Sequence, residues 1–274
     1  IATTTNTHSL SFDGVDDWVE IPDLGQYNNF TIEIDVKNQL IYDNRYGGIF
    51  GTRTWGSGKF AFQIIGNNIP GVTEIGGELS VVVDGGSQVI SQTNFHSDAL
   101  NQWTHIAVTY EAGNIMKLFI NGVLEHDSTA NNVAVDLTNL SLGDLHTWDV
   151  RYFDGLFDEI SIWNEALTAD EITALYNSGT ALDARTNSGD YASTANLVGY
   201  WKMEDGSGTT LTDVSGYAND GTINGASWTT GVLSTSYDNT PKVVDTTAPA
   251  VPSGLSATAG DKQVVLTWTA NSES

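Results

Sequence analysis

The 274-residue sequence contains no cysteine. This absence excludes a disulfide framework, a thiol nucleophile and any cysteine-based metal site. A domain of this size can be stable on its hydrophobic core alone, so the absence does not exclude an extracellular location. The sequence also lacks any run that approaches the ~20 apolar residues of a membrane-spanning helix. We therefore expect no membrane insertion.

Basic residues are scarce, because 10 lysines and arginines stand against 34 acidic side chains, which gives a net charge of −24. Such a polyanion repels the phosphates of nucleic acids and of anionic lipids, so we expect no nucleic-acid partner. Hard cations are compatible with this charge, Ca²⁺ above all, because its ligands are carboxylate and carbonyl oxygens. Most of the excess carboxylates are expected to be solvated surface groups.

Proline is also scarce, with 5 residues against 28 glycines, and charged residues make up 16% of the chain against 40% hydrophobic ones. This balance predicts a packed core built from strands and tight turns. Apolar and polar residues alternate over 30–37, as in a strand with one dry and one wet face. Further strands are predicted over 103–110, 116–120 and 156–163, and Asn121-Gly122 predicts a hairpin turn.

One helix is indicated late in the chain. Thr168 and Glu171 form a capping box, an apolar stripe follows, and Asn177-Ser178-Gly179 ends the helix. Many short strands with one late helix predict an all-β fold, namely a two-sheet antiparallel jelly-roll sandwich with one short helix in its C-terminal half.

Four segments carry a resemblance to a known family. They are Leu10 to Pro22 with its Phe-Asp-Gly turn, Trp103 to Tyr110, Leu118 to Gly122, and Gly155 to Asn164 followed by the capped helix. In this order they resemble the laminin G-like, concanavalin A-like sandwich modules of secreted bacterial multidomain proteins. The resemblance implies a sandwich over residues 1–240, an extracellular or cell-surface location, and membership of a larger chain.

The segment 197–235 resembles a stretch that precedes the module in many relatives, whereas here it follows. It is either a second module cut short or, as we favour, a permuted segment that completes the first sandwich. Residues 241–250 are predicted to be a linker. Residues 251–274 resemble the first two strands of a fibronectin type III domain and are too few to complete one.

The resemblance also implies a structural Ca²⁺. It makes Asp158 a late-strand ligand, with Glu204 or Asp205 as partners. Further candidates in turns are Asp13, Asp213 and Asn219. The alternative is that these are ordinary turn residues, which local hydrogen bonds favour at such positions.

Aromatic residues in polar loops predict a glycan site, because sugars stack on rings while polar side chains bind their hydroxyls. The candidates are Tyr42, Tyr46, Arg53, Trp55, Trp148 and Tyr152. The alternative is that some of these rings pack locally as loop anchors. The core is expected to hold the strand tryptophans, which are Trp18, Trp103, Trp163, Trp201 and Trp228.

The strand Glu33-Ile34-Asp35-Val36-Lys37 resembles the Glu-x-Asp-x-Glu strand of family 16 glycoside hydrolases. Position 37 is lysine, so the strand lacks the second carboxylate that a retaining glycosidase needs. No metal spacing links the histidines, and His105 is expected to be structural. We therefore predict no enzyme.

The sequence favours a non-catalytic module that binds extracellular or cell-surface polysaccharide and holds a structural Ca²⁺. Two alternatives stay open. One is a spacer or protein–protein adhesion module without a sugar site. The other is a glycosidase-related sandwich, which would need a second carboxylate that faces Glu33 and Asp35 from a neighbouring strand.

Overall fold

The computed structural model describes residues 6–54, 56–71, 76–83, 86–145 and 151–230, together with two later strands. The chain divides into two compact units, Ile1–Tyr237 and Asp238–Ser274. In the second unit, β19 (Ser256–Gly260) and β20 (Gln263–Thr267) pair antiparallel. Among the described residues, no helix is both long and apolar enough to cross a membrane.

The described part of the first unit consists of eighteen strands and one α-helix. In chain order the strands are β1 (Ser9–Asp13), β2 (Trp18–Ile21), β3 (Gly25–Tyr27), β4 (Asn29–Asn38), β5 (Gly47–Thr52), β6 (Phe60–Ile64), β7 (Glu78–Val83), β8 (Ser87–Asn94), β9 (Trp103–Glu111), β10 (Ile115–Ile120), β11 (Val123–Thr129), β12 (Val135–Leu137), β13 (Leu140–Leu142), β14 (Asp154–Trp163), β15 (Leu197–Trp201), β16 (Thr210–Leu211), β17 (Gly221–Asn224) and β18 (Ser227–Thr229).

Two antiparallel sheets of eight strands form the sandwich. Sheet A has the spatial order β11-β10-β9-β4-β14-β1-β18, and β15 pairs with the second half of β14. Sheet B has the order β16-β17-β2-β13-β5-β6-β7-β8, and β3 pairs separately with β12. The predicted fold class, an all-β two-sheet antiparallel sandwich with one short helix, is confirmed.

The core lies between the inner faces of the two sheets. On β4 the alternation places Ile32, Ile34 and Val36 in it, and β6 contributes Phe60 and Phe62 from the other side. Removing a side chain of this size from water contributes about 1.5–3 kcal/mol. The opposite residues of each strand necessarily point to the outer faces, and these carry the polar chemistry.

The helix α1 (Ala169–Tyr176) begins with the predicted capping box. The hydroxyl of Thr168 accepts the Glu171 N–H at 3.3 Å, while a Glu171 carboxylate oxygen accepts the Thr168 N–H at 3.0 Å. The other Glu171 oxygen accepts the Ser193 hydroxyl at 2.6 Å, which ties the helix start to the segment that follows it.

Helix α1 and residues 177–196 together form a cover over the outer face of sheet A, which we call the roof. Ile172 and Leu175 of the helix and Tyr191 of the following segment pack with Ala107 and Trp163 of the sheet. This contact forms a second, smaller hydrophobic cluster, so the outer face of sheet A is dry beneath the roof.

Residues 197–229 contribute strands to both sheets. β15 and β18 pair with β14 and β1 in sheet A, and β17 pairs with β2 in sheet B. The permuted order relative to the family, the linker and the fibronectin type III start remain predictions.

Edge strands of the two sheets are joined to each other by hydrogen bonds from backbone amides to side chains. Strand β11 ends sheet A beside β8, which ends sheet B. The β8 amides of Gln92 and Thr93 donate to one Glu125 oxygen at 2.8 and 3.0 Å, and the Ile90 amide donates to His126 Nδ1 at 2.8 Å. Side chains thus occupy edge amides that would otherwise pair with another chain.

Glu125→Ala should lower the free energy of unfolding by about 1–2 kcal/mol and promote aggregation, because two edge amides lose a charged acceptor. Urea unfolding and light scattering measure both effects. Glu111→Ala is the control, since the side chain of Glu111 accepts a bond from the exposed Asn114 amide. Equal stability of the two variants would contradict this account of the edge.

Candidate functional site

The outer face of sheet B is built over two glycines of β5. A Cβ added to Gly48 would lie 2.8 Å from Leu145 Cγ, and one added to Gly51 would lie 3.1 Å from Leu145 Cδ2. The chain that leaves β13 therefore crosses β5 closely enough that only glycine fits beneath it. This crossing brings Asp144 and Arg151, on either side of residues 146–150, onto the same face.

Arg53, Trp18 and Asp144 form one group on this face. The guanidinium carbon of Arg53 lies 3.9 Å from the centre of the Trp18 ring, and its Nη2 lies 3.1 Å from Asp144 Oδ2. Burial raises the pKa of Asp144, although the charge of Arg53 opposes the shift. The Arg53 Nε is buried and has no hydrogen-bond partner. Trp18 is partly exposed, so the group presents a fixed aromatic and cationic surface.

Arg151, Tyr46 and Gln63 form a second group. The guanidinium carbon of Arg151 lies 4.4 Å from the Tyr46 ring centre, and its Nη1 donates to Gln63 Oε1 at 2.5 Å. The Gly48 N–H donates to the Arg151 carbonyl at 2.8 Å, which fixes this arginine over β5. We call the two groups together the arginine–aromatic face.

The prediction that Tyr42 belongs to the glycan site is wrong. Its side chain is 0% exposed, and its hydroxyl accepts the Asp154 N–H at 2.9 Å. The ring packs so closely on Gly47 that a Cβ there would collide with it. Tyr42 is therefore a buried loop anchor and cannot stack on a sugar.

The other predicted glycan residues are divided. Tyr46 and Arg53 lie on the arginine–aromatic face, and Tyr152 is partly exposed nearby, where its carbonyl accepts Arg45 Nη1 at 3.4 Å. Trp55 and Trp148 lie outside the described residues.

The sequence analysis predicts that Trp18 lies in the core, and it does not identify Trp18 as a candidate for the glycan site. Trp201 is buried in the core and Trp163 is buried in the second cluster beneath the roof, whereas Trp18, Trp103 and Trp228 are partly exposed. The signal for Trp18 was present in the alternation of β2, because Val19 and Ile21 take the core positions and leave Trp18 on the outer face. Asp144 and Arg151 were also missed, since only the crossing over β5 brings them to this face, and Gln63 of β6 was missed as their neighbour.

One acidic cluster has a donor set suited to calcium. Ligand-type oxygens of Asp13, Asp16 and Asp17 lie within 4.8 Å of one another, and no other group of three such side chains occurs among the described residues. Asp13 and Asp16 are exposed and Asp17 is buried. Hard carboxylate oxygens with unused lone pairs fit Ca²⁺.

The rest of the predicted ligands form no group of three acidic side chains among the described residues, although the Asn219 N–H donates to Asp213 Oδ2 at 2.9 Å. Asp213 accepts four hydrogen bonds, including that of the Tyr200 amide, and Asp205 binds Thr212. Glu204 binds the backbone of residues 7 and 8, and Asn219 donates to Val198. Asp158 lies in sheet A, where it bonds to Asn6 and to the next backbone amide. Asp13 is therefore the one predicted ligand that belongs to the group of Asp13, Asp16 and Asp17.

The glycosidase alternative required a second carboxylate near Glu33 and Asp35. Asp158 lies directly opposite Asp35 in the pairing of β14 with β4, and Glu159 follows it. All four residues are at most 6% exposed. A substrate therefore has no route to these carboxylates in this conformation.

His105 lies in the same dry layer. Its Nε2 is 3.3 Å from Glu33 Oε2. Burial lowers the pKa of His105, but the hydrogen bond and charge of Glu33 outweigh it, so the pKa is raised overall. This is the geometry of a buried structural pair rather than of a group open to solvent.

Two antiparallel sheets packed face to face, with a roof over sheet A and arginine–aromatic groups over sheet B, form a jelly-roll sandwich of the concanavalin A-like kind. Residues 13–173, more than half of the chain, match the family described as the concanavalin A-like lectin/glucanases superfamily, of the laminin G type. The chain belongs to this family.

Individual proteins resemble parts of the chain. The human adhesion G-protein coupled receptor D1 is 36% identical over 78 residues, which cover 27% of this chain and 9% of the receptor. A putative carbohydrate binding protein from Bacteroides ovatus has a similar structure, with a TM-score of 0.64 and 20% identity over 82% of this chain and 60% of that one. A heptameric SAP-like pentraxin from Limulus polyphemus matches with a TM-score of 0.53 and 14% identity over 81% of this chain and 97% of its own. At these identities the two structures share the fold.

Arg53→Ala should destabilise the protein by about 1–3 kcal/mol, because it leaves the carboxylate of Asp144 buried without its cation. The double variant Arg53→Ala with Asp144→Asn should regain part of that loss, since the stranded charge is gone. Urea unfolding measures both. A double variant that is as unstable as the sum of the single ones would contradict the pairing.

Proposed function

We propose that this chain is a non-catalytic carbohydrate-binding module and that the arginine–aromatic face is its glycan site. The observation that carries the proposal is the Trp18 ring, which is partly exposed and held beneath the Arg53 guanidinium at 3.9 Å. A rigid, partly exposed ring beside charged hydrogen-bonding groups suits a sugar, because the sugar C–H groups pack on the exposed part of the ring while its hydroxyls bond to the neighbouring guanidinium and carboxylate.

Three further points support the proposal. The family includes lectins, and the similar Bacteroides ovatus structure is described as a putative carbohydrate binding protein. The carboxylates that could serve a glycosidase are buried. The sequence also predicts Trp55 and Trp148 as glycan-binding rings, and the proposal keeps both in the site.

We place the module outside the cell or at its surface, as part of a larger protein. The family and the similarity to part of a human adhesion receptor support this placement. The partner would be a polysaccharide or a cell-surface glycan, with no role for nucleic acid, since the net charge is −24.

Retention on a panel of immobilised polysaccharides tests the proposal. The wild type should bind one glycan class, and Trp18→Ala should weaken binding at least about tenfold, which corresponds to about 1.4 kcal/mol. Trp55→Ala and Trp148→Ala should weaken it as well. Tyr217→Ala is the matched control, because Tyr217 is a 62% exposed aromatic residue in another loop.

Two outcomes would contradict the proposal. Retention that survives Trp18→Ala unchanged would remove the arginine–aromatic face from the site. Retention on no glycan would favour a spacer or a protein–protein adhesion module, in which the arginines serve only to fix the loops through Asp144 and Gln63.

The proposal includes a structural Ca²⁺ held by Asp13, Asp16 and Asp17. Asp17 Oδ2 accepts the Asp13 N–H at 2.9 Å, and Asp13 Oδ1 accepts the Val15 N–H at 2.9 Å, so the turn already orients two of the carboxylates. Because the repulsion among three neighbouring carboxylates opposes this turn, a bound divalent cation would stabilise it.

Melting in the presence of Ca²⁺ or of a chelator tests this part. Added Ca²⁺ at about 100 times its Kd should stabilise the protein by about 2.7 kcal/mol. Asp16→Asn should abolish the difference, whereas Asp190→Asn, a change at an exposed loop carboxylate, should retain it. The same melting curve for the wild type with Ca²⁺ and with chelator would exclude a structural calcium.

A further inference from the structure

The two groups of the arginine–aromatic face have the same construction. In each, a guanidinium carbon lies over an aromatic ring, at 3.9 Å from the ring centre for Arg53 on Trp18 and at 4.4 Å for Arg151 on Tyr46. All four residues are partly exposed. A guanidinium stacked on a ring presents an apolar surface and N–H donors at one place. Each group therefore offers both kinds of contact that a sugar unit makes.

Arg45 shows what a purely structural arginine looks like in the same chain. Its guanidinium carbon lies 5.4 Å from the centre of the Tyr42 ring, and that ring belongs to a residue that is 0% exposed. Its Nη1 donates to the backbone carbonyls of Gly14 and Tyr152 at 3.2 and 3.4 Å. The rings of the arginine–aromatic face differ, because both belong to residues that reach the surface.

The strand pairing of sheet B places the two groups at one level of the sheet. Four core residues are successive partners across β2, β13, β5 and β6, and they are Val19, Leu142, Phe50 and Phe62. Trp18 precedes the first of these residues, and Gln63 follows the last. Because β2 and β6 run in opposite directions, Trp18 and Gln63 lie on the same side of this row. Each is next to a core residue, so both point to the outer face.

This pairing also gives the distance between the groups. Three inter-strand spacings of about 4.8 Å separate β2 from β6, so the Cα atoms of Trp18 and Gln63 lie about 14 Å apart. Arg151 donates to Gln63, which places the second group at the β6 end of this distance. Leu145 lies between the two groups, since it packs over Gly48 and Gly51 of β5. One pyranose ring, which is no larger than an indole ring, cannot contact both groups.

We propose that the arginine–aromatic face binds an internal stretch of a linear polysaccharide, which crosses the strands of sheet B and places separate sugar units on the two groups. The inference rests on the proposed glycan function and specifies its ligand class. A monosaccharide, or the terminal sugar of a branched glycan, would occupy one group and lose the contacts of the other. In a linear chain the second contact is intramolecular, so the affinity exceeds that of either group alone.

Binding of oligosaccharides of defined length to the intact chain tests this inference by calorimetry. The probes are the disaccharide and the hexasaccharide released by partial hydrolysis from the panel polysaccharide that retains the wild type. A hexasaccharide contains five overlapping disaccharides, which alone would raise its affinity about fivefold. The wild type should bind the hexasaccharide at least about thirtyfold more tightly than the disaccharide, because only the longer probe reaches both groups.

Variants of the two rings test which residues supply this gain. Trp18→Ala and Tyr46→Ala should each reduce the ratio of the two affinities to about fivefold, the statistical value. Tyr217→Ala is the matched control and should keep the ratio of the wild type, because Tyr217 is an exposed aromatic residue in another loop.

The possible results separate this inference from the proposed function. A wild-type ratio of about fivefold would leave a glycan-binding module and overturn the two-group site, and so would a Tyr46→Ala variant that keeps the full ratio. Retention on no polysaccharide would contradict the proposed function and this inference with it.

Should Tyr46→Ala fail to fold, hydrogen exchange of the wild type decides. The hexasaccharide should then slow amide exchange in both β2 and β6, whereas slowing at one of these strands alone would overturn the inference.

Discussion

Strand β14 pairs with three other strands, and the arrangement of sheet A depends on this one ladder. It binds β4 along one side and β1, then β15, along the other. Phe157, Ile160 and Ile162 point into the core, because the irregularity between Asp158 and Ser161 shifts the alternation by one residue. Trp163 and Leu197 are partners in the antiparallel pairing of β14 with β15, so the chain between them leaves and returns at one point of sheet A. This excursion contains the roof, and its apolar side chains keep the outer face of sheet A dry.

The scarcity of basic residues makes their placement informative. Three of the four arginines, at 45, 53 and 151, lie over tyrosine or tryptophan rings on the loops around sheet B. Lys202 lies beside the buried carboxylate of Glu159. In a chain with a net charge of −24, a guanidinium attracts many competing carboxylates. Stacking on a ring fixes which site it occupies, because the ring contact is lost if the arginine turns to another partner.

Sequence patterns predicted the fold class because they are local. Alternation identified β4 and β9, and the Thr168 capping box located the helix start. Alternation determines the face on which a residue lies and not how deeply other segments cover that face. For this reason Tyr42 was mistaken for an exposed loop ring. Trp18 was assigned to the core even though its position in β2 indicated the outer face.

The candidate sites were harder to predict because they form where distant segments cross. Asp144 and Arg151 reach sheet B only through the close approach of Leu145 to Gly48 and Gly51, and glycines do not reveal which segment lies above them. The Asp13, Asp16 and Asp17 cluster is local, and its spacing could have been found. The carboxylates of Asp213 and Glu204 are equally suitable by type, yet backbone amides already use both. Asp213 accepts from its own turn, whereas Glu204 accepts from residues 7 and 8, which are distant in the sequence.

The two outer faces of the sandwich have different roles for a physical reason. On sheet A the roof buries Ile172, Leu175 and Tyr191 against the strands, and this apolar contact excludes water from any charge beneath it. On sheet B the covering segments bring arginines and rings instead of an apolar helix, so their polar groups remain partly accessible at Trp18 and Arg53. A ligand that needs both a ring and hydrogen-bonding groups can therefore be accommodated on sheet B, whereas the roof covers the polar groups on the outer face of sheet A.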